Sequence, residues 1–330
     1  MIERHDRQEF INTRGVELIK GKDQNVPHGI MFHHFFDKKH VRGQGSISEH
    51  QFEKIIQHYG KNILSADNWF NKAKSNSLDD KDVCLTFDDA LLCQYDIGLP
   101  LLKKYNLTAF WFVYSSVLTG EIENLEVYRK FRTVCFSGIE DFYSKFFSKL
   151  KKTKHFNNIE KSLKKKYSHE NWKHFPFYSP NDTKFRFIRD TVLGVENYNH
   201  VMELMMMDFG IDKKEFSSDL WMNIENIKKL NDDGHIIGLH SHTHPTMLSK
   251  LSKTDQEKEY QKNYKVLYAS LKTPPKTVSH PCNSYNNDTL SILRNLKIEI
   301  GFRANMENHL FSEFEFPRED HANVIKRIGL

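Results

Sequence analysis

Gly234–Thr246 reads GHIIGLHSHTHPT. Its apolar, β-branched start, within "HIIGLHSH" (235–242), predicts a strand that runs straight into three histidines in five residues, His240, His242 and His244. Spacing alone does not make them ligands. With 18 His in 330 residues, roughly one His-x-x-x-His pair is expected by chance. What surrounds the stretch has to decide.

Similar runs recur along the chain: "HGIMFHHF" (28–35), "DVCLTFDD" (82–89), "TAFWFV" (108–113), "KTVSHP" (276–281), "IEIGFRA" (298–304) and "FEFP" (314–317). Each predicts a short strand. Between them lie helical patterns. "SISEHQFEKIIQHYG" offers an N-cap serine, Phe52, Ile55, Ile56 and Tyr59 on one face, and Gly60 as a stop. "YDIGLPLLKKYN", "WMNIENIKKLNDDG" and "DTLSILRNLK" read as three more helices. Strand and helix alternating six or seven times predict an α/β fold, a parallel barrel with its chemistry at the C-terminal ends of the strands. From about Glu121 to Phe216 no strand pattern appears, only Lys- and aromatic-rich helical sequence such as "VENYNHVMELMMMDF". The expected organisation is therefore barrel over 1–121, helical insertion over 122–216 and barrel again over 217–330, with Met205 to Met207 as packing residues.

Bulk properties narrow the function classes. A 38% hydrophobic, 13% aromatic chain suits a folded protein. No run approaches a membrane span, and the N-terminal stretch lacks a signal-type apolar core, so the expected compartment is the cytoplasm. Cys84, Cys93, Cys135 and Cys282 form no C-x-x-C pair, which fits reduced thiols, Cys84 being a small core residue. Net charge is +5, yet Lys145–Lys166 holds nine Lys against Glu160 alone. That segment is either a solvated helical face or a surface for an anionic substrate or membrane. Its lysines are not interleaved with stacking aromatics, which argues against nucleic acid.

Chemistry concentrates in two places. "LTFDDA" (85–90) ends an apolar run with adjacent carboxylates, which are costly unless paired. A helix N-cap is one reading. Beside "HSHTH" another opens: one carboxylate and two imidazoles make a facial metal triad with open positions, and the second carboxylate stands ready as a base. Strand side chains alternate, so both aspartates serve one site only where the strand gives way to a loop.

"TFDD" followed by "GLHSHTHP" resembles the first two motifs of the polysaccharide deacetylase superfamily, the NodB-homology or carbohydrate esterase family four domain. The likeness runs from "HGIMFHHF" to the chain's end, apart from the insertion. It implies a distorted (β/α) barrel of about seven strands that hydrolyses N- or O-acyl groups on sugars. By this resemblance Asp88 is the catalytic base. Asp89, His240 and His244 are ligands of a divalent ion, zinc first, with Co²⁺, Ni²⁺, Mn²⁺ or Fe²⁺ as alternatives. His242 then stays behind the site, because a fourth protein ligand would close the position catalysis needs.

The third motif departs from the family. "TVSHPCNSYN" (277–286) has histidine, Cys282 and Asn283 where aromatics and glycine are usual, and no arginine to orient Asp88. His280 is a candidate general acid or a buried histidine; Asn283 and Tyr285 are candidate substrate contacts. His33 matches a histidine relatives carry on the first strand, and strand alternation excludes His34 from the same face. "FPRED" resembles the family's last strand. There Arg318 and Asp320 either pair with each other at the rim or serve Asp88. His309 and His321 are weak stand-ins for the family's late histidine acid. The implied reaction is removal of an acetyl or formyl group from an anionic sugar, a nucleotide- or lipid-linked precursor of surface glycan in an AT-rich bacterium. Two competing readings are ring-opening hydrolysis of a small cyclic amide, as in the allantoinase-like branch, and a metal-free carbohydrate-binding barrel.

Overall fold

The computed structural model describes residues 26–153, 156–167, 179–307 and 312–330. The apolar runs become seven short strands: β1 His28–Phe32, β2 Val83–Asp88, β3 Phe110–Val113, β4 Ile236–Leu239, β5 Thr277–Ser279, β6 Ile300–Phe302 and β7 Arg318–Asp320. All pair in parallel, in the order β6-β5-β4-β3-β2-β1-β7. β1, β2 and β3 are buried at every position, as strands covered on both faces must be. The edges β6 and β7 come together through a bridge between Phe302 and Phe316 and a bond from the Arg318 N–H to the Asn305 carbonyl at 3.3 Å. The barrel is thus nearly closed.

Two expectations need correction. The last strand is not "FEFP" (314–317) but Arg318–Asp320, within the "FPRED" that resembles the family's last strand, and it pairs with Gly29 to Met31. Pro317 has no N–H for a ladder, and only its carbonyl joins in, accepting from Gly29 at 3.0 Å. "YDIGLPLLKKYN" is not one helix either: a π-turn, Gln94–Gly98, precedes the helix Leu99–Lys104. Pro100 cannot donate to the carbonyl four residues back, which favours the wider turn.

Helix Glu49–Tyr59 forms as its sequence indicates. Ser48 and Gln51 make a reciprocal capping box, Gly60 ends the helix at φ +51°, and Phe52, Ile55 and Ile56 are buried. Such a cap contributes about 1 kcal/mol.

Strand alternation sorts the core. Val83, Leu85, Phe87, Trp111 and Val113 face the helices, while Cys84, Phe110, Phe112, Ile300 and Phe302 pack together with Trp69 and Phe316. Thr86 and Asp88 share the face of Cys84, and they carry that second column up to the strand ends. Gly238 on β4 makes room for it: a Cβ there would lie 2.6 Å from the Phe112 ring.

Residues 124–219 make a separate compact unit, whose regular elements among the described residues are all helices. Its core is aromatic, built from Phe131, Phe136, Phe142, Phe146, Phe185 and Tyr198, with the Tyr143 hydroxyl bonded to buried Asp182. On helix Gly194–Asp208, Met205 and Met206 pack inward as expected. Met207 is 72% exposed and does not pack; it falls on the solvent side of a helix whose next two residues end it. Lys145, Lys151, Lys152, Lys161, Lys164 and Lys165 are exposed, as on a solvated face.

Candidate metal centre and active site

β2 ends in a sharp turn. Asp89 and Ala90 adopt φ of +77° and +54°, and the Asp89 N–H donates to the Phe112 carbonyl at 3.1 Å. This backward twist turns Asp89 toward the mouth that Asp88 already faces by strand alternation. Both carboxylates are buried. β4 ends the same way: Ser241 and His244 have φ of +62° and +55°, and the Ser241 Oγ accepts the His244 N–H at 3.1 Å. His240 and His244 therefore point to one place.

That place is Asp89 Oδ1, 3.3 Å from His240 Nε2 and 3.4 Å from His244 Nε2. The oxygen is buried and has no hydrogen bond among the described residues. The three donor atoms lie within 4.8 Å of one another. His240 Nδ1 lies 2.9 Å from the Ser279 carbonyl; a carbonyl only accepts, so Nδ1 carries the proton and the Nε2 lone pair faces the carboxylate, as in a metal-ligating histidine. A carboxylate oxygen without a partner and two imidazoles are the donor set of a divalent first-row ion, so these residues fit one. Burial would raise the Asp89 carboxyl, but His244, His240 and His33 hold it well below its ordinary value. His240 is pushed up, against burial, by Asp88 and Asp89.

Asp88 is gripped from β7. Arg318 Nη1 and Nη2 donate to its two oxygens at 2.7 and 2.8 Å, and Nη2 also reaches Ser279 Oγ at 2.6 Å. Ser279 Oγ donates to Asp88 Oδ2 at 3.2 Å. Arg318 Nε donates to the Arg303 carbonyl at 3.0 Å, so the guanidinium has one orientation. Burial alone would raise Asp88; Arg318, then His240, lower it below the usual carboxylate range.

The other expected site residues divide. His33 Nε2 is 3.9 Å from both Asp88 Oδ2 and Asp89 Oδ2, and its side chain keeps 28% of its surface open to solvent. His242 faces elsewhere, toward Ser115 Oγ at 2.9 Å and Glu121 Oε1 at 3.1 Å. His280 is fully buried, stacked on Tyr285 at 4.0 Å, with Nε2 at 2.8 Å from the Phe314 carbonyl. Burial pushes it down to about 4. The ring thus lies in the core with Nε2 committed to a carbonyl. Tyr285 gives its hydroxyl to Glu315 at 2.8 Å, and Asn283 Oδ1 accepts from Ala304 at 2.9 Å; both hold the loop after β5. Asp320 does not pair with Arg318. It caps the helix His321–Ile328, accepting from Ala322 at 2.8 Å. His321 is buried against the Met31 and Gly45 carbonyls, and His309 lies outside the described residues.

Sequence reasoning missed Gln94 and Ser279. Gln94, fully buried in the π-turn, donates to the carbonyls of His33 at 2.8 Å and Asp88 at 2.6 Å, tying the ends of β1 and β2 together. Nothing local marks Gln94. Alternation along "TVSHP" does place Ser279 opposite Val278, on the inner face.

The site is thus an Asp-His-His cluster at the mouth of a parallel barrel, beside an arginine-held carboxylate. Residues 209–301 match the family model for polysaccharide deacetylase. Similar solved structures include deacetylases. A deacetylase from Streptococcus pyogenes, PplD, in complex with acetate, is 16% identical over 91% of this chain and 96% of its own, with a TM-score of 0.52. IcaB from Ammonifex degensii is 13% identical over 90% and 91%, TM-score 0.52. A de-N-acetylase from Aggregatibacter actinomycetemcomitans is 12% identical over 91% and 98%, TM-score 0.52. The fold is the distorted (β/α) barrel of the NodB type. No curated protein matches the chain. Among the described residues no helix is long and apolar enough to cross a membrane.

Proposed function

We propose that the chain is a metal-dependent amide hydrolase that removes an N-acyl group, acetyl or formyl, from a sugar. The observation that carries this is the meeting of Asp89 Oδ1 with His240 and His244 Nε2, next to a second carboxylate with a fixed orientation. Asp89, His240 and His244 would hold the ion, zinc first. When bound, it supplies Lewis acidity to the acyl carbonyl and lowers the pKa of water.

The chain's own groups divide the remaining work. Asp88 Oδ2 takes the proton of the attacking water; Arg318 and Ser279 keep that oxygen aimed, and Arg318 holds the carboxyl ionised. The water oxygen bonds to the acyl carbon, the C–N bond breaks, and the leaving amine must take up a proton. His33 is placed to give it, with its ring near both carboxylates and partly open to solvent. His33→Gln should therefore lower kcat by about 10²–10⁴-fold, with metal retained. His280→Gln should change kcat by less than about tenfold, since its ring is spent on packing and one carbonyl. The reverse ranking in steady-state assays would return the acid to His280.

The finer proposal is an anionic substrate, a nucleotide- or lipid-linked precursor of surface glycan. The nine lysines of Lys145–Lys166 support it. Protein purified without added metal and analysed for elements should carry about one divalent ion per chain, and Asp89→Ala/His240→Ala should carry none. Incubation with N-acetyl and N-formyl sugar nucleotides should then release acetate or formate. Wild-type protein that stays metal-free even after zinc is offered would rule out the hydrolase.

A further inference from the structure

Helix Lys253–Leu271 follows β4 by way of the histidine-bearing turn. Two of its side chains, Glu259 and Asn263, lie four residues apart and so on one face. Glu259 Oε2 accepts the backbone N–H of His242 at 2.9 Å and of Thr243 at 2.7 Å, while Oε1 accepts the Thr243 hydroxyl at 2.8 Å. Asn263 Oδ1 accepts the His240 N–H at 2.9 Å, and its Nδ2 donates to the Val113 carbonyl at the end of β3, at 2.9 Å. Asn263 is fully buried.

These bonds fall on a turn the chain would not hold unaided. Ser241 and His244 both sit in the left-handed region, at roughly 1–2 kcal/mol per L-residue. Past β4 no ladder takes up the N–H groups of His240, His242 and Thr243; the two side chains of one helix do. A small rotation of the turn would swing His244 off Asp89, because the two ligating rings hang from its opposite ends. Metal centres lose affinity when such outer supports are removed.

We infer that Glu259 and Asn263 are positioning residues for the metal centre: they clamp the His240–His244 turn so that both Nε2 atoms face Asp89. The inference rests on the proposal that Asp89, His240 and His244 hold a divalent ion. Neither residue belongs to that cluster. Glu259 acts through the main chain, as a pair of acceptor oxygens rather than as a charge.

The test is Co²⁺ titrated into metal-free wild type, Glu259→Ala, Glu259→Gln and Asp89→Ala, followed by visible absorption, with thermal melts of the metal-free proteins alongside. Glu259→Ala should bind Co²⁺ about 10–100-fold more weakly and with a shifted visible band, while its metal-free melting temperature falls only modestly. Glu259→Gln keeps one acceptor oxygen and should fall between alanine and wild type. Asp89→Ala should show no band. Should Glu259→Ala melt too low to titrate, Glu259→Gln and Thr243→Val, an exposed position losing one bond, carry the same expectation at smaller size. A Glu259→Ala protein with the wild-type constant and spectrum would overturn the clamp, as would Glu259→Gln behaving like Glu259→Ala, which would make charge the cause. Wild type that takes up no Co²⁺ would instead overturn the metal proposal, and the clamp with it, before any variant is compared.

Discussion

Asp88→Asn protein is expected to keep its metal and to lose turnover by about two orders of magnitude or more. The substitution leaves the Asp89, His240 and His244 cluster untouched, so elemental analysis should still find the ion. What it removes is the oxygen that takes the proton. An amide presents one oxygen and one NH₂ where Arg318 and Ser279 now meet two oxygens. The NH₂ then faces an N–H donor, so some stability should be lost as well. The diagnostic quantity is kcat at saturating substrate: KM should move little, because Asp88 is invoked only where charge develops. Wild-type kcat in this variant would remove Asp88 as the base, whatever its place in the barrel.

Arg318→Met should have the larger effect on the fold. Asp88 and Arg318 are both almost wholly buried, and breaking such a pair from one side strands the other charge, at about 3–5 kcal/mol. For a domain of this size that is a fall in Tm of roughly 10 °C. Activity should fall too, since an unpaired buried carboxyl rises in pKa and is no longer a base at neutral pH. Arg318→Lys should recover part of the stability and little of the turnover: it restores charge but not the fork that reaches both oxygens and Ser279. Asp88→Asn in the Arg318→Met background should be less damaging than the sum of the two single changes, because no carboxylate is then left alone. Strict additivity in melting experiments would mean that the pair contributes nothing as a pair.

The arginine also shows where local reading stops. The usual third motif places an arginine near the base; here "TVSHPCNSYN" has none, and the guanidinium arrives from β7, 230 residues along the chain from Asp88. "FPRED" made Arg318 a candidate, but not a choice between Asp88 and Asp320 as its partner. Parallel pairing of β7 with β1, in the register Gly29 to Arg318, sends Arg318 inward and leaves Asp320 at the start of a helix. His280 shows a related limit of local reading. Its sequence neighbours suggested a catalytic loop, but closure of β5 against β6 and the return of Phe314 bury it.

By itself the sequence determined the alternation of strands and helices, the adjacent carboxylates at the end of β2 and the histidines at the end of β4. Those follow from side-chain period and local turn chemistry, which act over a few residues. Tertiary structure alone decided which arginine holds Asp88, that Gln94 ties β1 to β2, and that Glu259 and Asn263 grip the histidine turn. Each depends on strand register and helix placement between segments far apart in sequence, set by the packing of the whole barrel rather than by any stretch of it.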